Sequence, residues 1–105
     1  MISIEAHPLL LPPALMSIYE DAKITYTTGN HEEALNINER LHEAAIRTEC
    51  VLGQIVSKRF IGLCQYRLSR LQASQASLNA ALALAKEHGE LEQQILGLPA
   101  NLWAA

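Results

Sequence analysis

Among the 105 residues, the types that could hold a metal or carry a reaction are four histidines, two cysteines and acids at helical spacing. Glu39-Arg-Leu-His42 is an E-x-x-H sequence, which on a helix offers a carboxylate and an imidazole to one metal, as in bundles that hold two irons. Such a centre needs a second E-x-x-H and two more inward carboxylates, and Glu87-His88 has the wrong order and spacing. His31-Glu32 and His42-Glu43 lack the second histidine of a zinc-protease helix. Solvated helix faces account for all of these, and a metal-binding helical bundle stands only as a second alternative. Cys50 and Cys64 are 14 residues apart on or beside one helix, roughly 20 Å by the rise per residue. They cannot bridge unless that helix breaks, and small buried side chains are their expected role. No glycine-rich phosphate loop and no serine in a nucleophile elbow occurs. The chain is therefore expected not to be an enzyme and to need no cofactor.

The remaining feature with recognition chemistry is basic. Arg59, Leu63, Tyr66 and Arg70 fall at offsets 0, 4, 7 and 11, one stripe of a helix, with Arg67 at its flank. The net charge of −3 hides this, because residues 1–50 carry eight acids against three bases, whereas residues 51–105 carry five bases against three acids. The overall balance is too slight to mark a nucleic-acid binder, and no apolar run approaches the roughly 18 residues of a membrane span. Few cysteines and no apolar leader with a cleavage site make a reducing cytoplasm the expected compartment.

Helices must position these residues. Half of the chain is apolar but only 5% is aromatic, and Ala, Leu, Glu and Gln dominate over β-branched residues. Residues 1–13, with Pro8, Pro12 and Pro13, read as an extended lead-in, with Pro13 suited to the first turn of a helix over about 13–28. Its apolar face is Leu15, Ile18, Tyr19, Ala22 and Tyr26. Gly29-Asn30 stops it, and Asn30 caps a second helix to about Thr48 with Glu32 and Glu33 in its first turn. The predicted buried stripe there is Ala34, Ile37, Leu41, Ala44 and Ala45. A third helix from about Val51 to Leu68 has only a narrow polar side and must be sandwiched. A fourth runs from about Arg70 to His88 through Leu71, Leu78, Ala81, Leu82 and Ala85 and ends at Gly89. A fifth start at Glu90 falters at Gly97 and Pro99, leaving 91–105 as an incomplete repeat or an apolar tail.

A fixed offset of 40 pairs Ala22 with Gly62, Tyr26 with Tyr66, Gly29 with Ser69, Leu41 with Ala81 and Ala45 with Ala85. The segment YTTGNHEEAL from Tyr26 to Leu35 resembles the tetratricopeptide repeat, with its aromatic, turn glycine, acidic pair and small alanine opening the second helix. LNAALALAKEHGE from Leu78 to Glu90 is similar to the second half of the long-spaced version of that repeat, common in bacterial regulators. The likeness covers about residues 14–90 as two helix pairs, 14–50 and 51–90. Departures from the pattern are Thr25 and Asn38 where larger apolar residues are usual, Ser69 for a turn glycine and Ser74 for the alanine matched by Ala34.

The resemblance implies an all-α fold, antiparallel helical hairpins stacked as a fragment of a right-handed solenoid; a plain four-helix bundle is the alternative. It further implies that the first helix of each pair lines a concave groove, which would present Tyr19, Lys23, Tyr26 and Thr27 from one unit and Arg59, Leu63, Tyr66 and Arg67 from the next. Arginine and tyrosine suit an acidic or carboxylate-bearing peptide. The competing account is that these arginines pair with the acidic second helix. The expected function is binding of a protein or peptide, or self-association, within a bacterial regulatory or signalling system. A small secretion-type chaperone or adaptor is the alternative. A homodimer or a place in a longer array is expected, because the second pair, with Leu78 and Leu82, has no polar cap.

Overall fold

Pro12 and Pro13 have no amide to donate, so a helix can begin on them without leaving a donor unmet. In a computed structural model that describes residues 11–88, helix α1 (Pro13–Thr27) begins there, with the Met16 amide donating to the Pro12 carbonyl at 2.8 Å. It is followed by α2 (His31–Arg47), α3 (Val51–Arg67) and α4 (Leu71–Glu87), and no strand occurs among the described residues. The fold is all-α. Each helix packs on the next, and α1 also touches α3, as in a hairpin stack or bundle. Residues 1–10 of the expected lead-in, the helix end expected at Gly89 and the incomplete repeat or apolar tail at 91–105 lie outside the described residues.

The three connections share one construction. In each, the middle residue takes a positive φ: Gly29 at 92°, Glu49 at 55° and Ser69 at 63°. Its amide donates three residues back (Gly29 to Tyr26, Glu49 to Ile46, Ser69 to Tyr66), and the next amide reaches five back (Asn30 to Thr25, Cys50 to Ala45, Arg70 to Gln65). These paired bonds are the Schellman closure, which satisfies carbonyls that a helix end leaves open. The residue that completes it then begins the next helix. Asn30 Oδ1 accepts from the Glu33 amide at 3.3 Å, and Cys50 Sγ accepts from the Gly53 amide at 3.4 Å. A 17-residue helix and a three-residue joint thus alternate from α2 onward, which is the physical origin of the 40-residue period.

Only the first joint has glycine at the strained position. A left-handed φ costs a residue with a side chain about 1–2 kcal/mol, of which glycine's freedom in the unfolded chain returns about 0.5–1. Ser69 is exposed, so Ser69→Gly is expected to stabilise the fold by about 0.5–1 kcal/mol, with Ser69→Ala close to neutral. Thermal melts of the two variants check this, and equal midpoints would mean that the turn does not hold that φ in solution.

Leu15, Tyr19 and Ala22 from α1, Ala34, Ile37, Leu41 and Ala45 from α2, and most of α3 make up the core. The paired small positions behave alike: Ala22 and Gly62 are buried, as are Leu41 with Ala81 and Ala45 with Ala85. Helix α3 approaches its neighbours at its glycines. A Cβ on Gly53 would lie 3.0 Å from Ala45 Cβ, and one on Gly62 would lie 2.7 Å from Leu78 Cγ.

Candidate interaction surface

The eight residues expected to line a groove separate into two groups. Tyr19, Arg59 and Leu63 are buried, which corrects their placement on an open lining. The physical reason is the position of α3, which packs on α1, α2 and α4, so that every residue from Leu52 to Cys64 is buried or half-buried. A stripe through Arg59, Leu63 and Tyr66 therefore passes from the core to the surface along its length. Tyr19 packs edge-on against Phe60, with ring centroids 6.1 Å apart. Burial raises the Tyr19 hydroxyl pKa, with Glu20 adding to the rise, and lowers the Arg59 guanidinium to about 10, which leaves it charged at neutral pH.

The other five residues lie toward the C-terminal ends of α1 and α3, where Tyr26 and Arg67 meet. Arg67 Nε donates to Tyr26 Oη at 3.0 Å, tying the two helices together, and this bond raises the Arg67 pKa. Tyr26 is half-buried, held edge-on to Phe60 at 5.2 Å and tilted over His31 at 5.0 Å. Tyr66, next in sequence to Arg67, is 45% exposed, as suits a ring available to a partner. Lys23 stands 5.4 Å over the Tyr19 ring and 3.8 Å from Glu20 Oε1, an exposed pair worth little on its own. Exposed Thr27 turns its hydroxyl back to the Ile24 carbonyl at 3.0 Å. Arg70, in contrast, meets the competing expectation by pairing with Glu32 of α2 at 2.7 Å.

The residues that suggested a metal do not converge. Among the described residues no three of His, Cys, Asp and Glu come together as ligands. His42 Nδ1 lies 3.0 Å from Ser57 Oγ, whose hydroxyl also reaches the Gln54 carbonyl at 3.1 Å. Burial and then Lys58 lower the His42 pKa. Cys64 contacts Asn38 Nδ2 at 3.9 Å, and burial pushes its thiol up to about 12, which makes it inert at neutral pH.

A groove not among the expected sites lies where α2 and α4 flank α3. A hollow of about 510 Å³ is lined by His42, Gln54, Lys58, Ala80 and Leu84, among others. A smaller one of about 330 Å³ adjoins it at His42 and Lys58 and extends past Glu39, Glu43 and Gln65. Its signal is present in the sequence: Gln54, Lys58, Ile61 and Gln65 are a helical row, three of them polar, on a helix with few polar residues.

No family model matches the chain, and no curated protein or solved structure matches it significantly.

Proposed function

We propose that this chain is a non-enzymatic protein-binding module of two tetratricopeptide-like helix pairs, which takes an acidic segment of a partner protein within a regulatory system. The observation that carries the reading is the Arg67–Tyr26 bond, which joins α1 and α3 at ends that also carry Lys23, Thr27 and the exposed Tyr66. A guanidinium already oriented by a neighbour loses little freedom when it takes a carboxylate, and an exposed tyrosine adds area at small entropic cost. The 40-residue recurrence of the helix pair supports the family resemblance, and stacked hairpins offer extended binding surfaces. Among the described residues no helix is long and apolar enough to cross a membrane.

The test is a two-dimensional amide NMR titration with synthetic Glu- and Asp-rich peptides that carry one leucine or phenylalanine. Shifts are expected at α1 and α3 around Tyr26, Tyr66 and Arg67. Affinity should fall with added salt and by about tenfold in Arg67→Ala, the worth of one charge-assisted hydrogen bond, with the melt little changed. Shifts confined to the His42 and Lys58 groove, or indifference to Arg67 and to salt, would sink this assignment.

A further inference from the structure

We propose that the leucine-bearing flank of α4 is a self-association surface, on which a second copy of this chain docks its own α4 in antiparallel orientation. The first observation is an inversion of the usual amphipathic order. Helix α4 turns Ser74, Ser77, Ala81 and Ala85 inward. Two of its leucines do not join them: Leu71 is 59% exposed and Leu82 43% exposed, whereas Leu78 lies half-buried on Gly62 and Leu84 half-buried against the core. A surface helix that only met water would put its leucines inside and its polar groups outside.

The second observation is charge. From Leu71 to Ala85 the sequence LQASQASLNAALALA holds no Asp, Glu, Lys, Arg or His. By comparison, α2 exposes Glu32, Glu33, Glu39, Arg40 and Glu43. A long uncharged face with exposed leucines is rare on a helix meant for solvent and common at the centre of interfaces.

Spacing selects the occupant. Leu71, Gln75, Leu78 and Leu82 follow one another at 4, 3 and 4 residues, the heptad seam of paired helices. An antiparallel twofold between residues 76 and 77 brings Leu71 onto Leu82 of the other copy and Gln75 onto its Leu78. The face is complementary to itself, and being neutral it does not repel its copy. The fold already uses the corresponding face for helix packing, since Leu78 and Leu82 stand 40 residues after Asn38 and His42, which α3 covers through Cys64 and Ser57.

Sedimentation and light scattering of the full chain across the micromolar range, with Leu71→Glu and Leu82→Glu alongside, test this. Twice the chain mass is expected for the unsubstituted protein, with a melt that rises with concentration. The twofold removes each leucine twice, so either variant should weaken the dimer by about 100-fold or more while keeping its helical signal. A single-chain mass at all concentrations would overturn the proposal. So would a dimer indifferent to both variants, which would pair through another surface. A monomer whose melt collapses in Leu82→Glu would also overturn it, and would assign the face to the chain's own residues beyond His88.

Discussion

Gly62→Leu is expected to destabilise the fold by about 1–3 kcal/mol, the cost of forcing several methylenes into a filled crossing. A Cβ on residue 62 would already lie 2.7 Å from Leu78 Cγ and 2.8 Å from Leu78 Cδ2, and 3.3 Å from the Ser74 carbonyl oxygen. Leu78 is half-buried and can swing outward to admit a methyl, so Gly62→Ala should cost much less. The backbone of α4 cannot yield in the same way, because Ser74 Oγ donates to the Gly62 carbonyl at 2.7 Å and fixes the separation of the two helices. A thermal melt should show a drop of about 4–8 °C for each kcal/mol lost in a domain of this size. An unchanged midpoint for Gly62→Leu would mean that α3 and α4 stand farther apart than this contact requires.

The same close approach explains where sequence reading stopped. The ends of the helices were legible because local chemistry sets them: Pro13, Gly29 and Asn30 act within their own turn, and the structure has them at those tasks. In α2, both the buried stripe and the acidic wet face were legible, since that helix separates the two cleanly. In α4 the sequence spacing puts the apolar residues in one stripe, yet Ala81 and Ala85 are buried and Leu71 and Leu82 exposed. Periodicity tells which residues share a side of a helix but not how near the neighbour comes. At Gly62 the missing side chain lets Leu78 and the Ser74 backbone of α4 close in, while Leu71 and Leu82 fall to the exposed flank. Arg59 and Leu63 were misplaced for a related reason: helical spacing puts them in line with Tyr66 without showing that α3 is enclosed on several sides. Glu49 carried no signal for a left-handed turn, and only its place midway between Gly29 and Ser69 marks it.

Asn38 carries the largest expected effect. It is fully buried, its Nδ2 donates to the Ala34 carbonyl at 2.9 Å, and Oδ1 accepts no hydrogen bond among the described residues. Asn38→Asp keeps the shape and replaces the donor with an oxygen. That oxygen would face the Ala34 carbonyl, which has no proton to share, and the Cys64 thiol, which is a weak donor, and among the described residues no cationic side chain is hydrogen-bonded to Asn38 to neutralise the charge. The expected loss is about 3–5 kcal/mol at neutral pH, the cost of an uncompensated buried charge. The pH dependence has a definite sign. Burial raises the folded-state pKa of such a carboxyl above its unfolded value of about 3.9. The folded state then binds the extra proton, so the penalty is full above the folded pKa and is relieved as pH falls toward the unfolded value. Urea unfolding of the variant and the parent protein at a series of pH values should show the gap between them closing on acidification. A gap that stays constant with pH would show that the new carboxyl reaches water, and that the α2–α3 contact at Asn38 opens more readily than its burial implies.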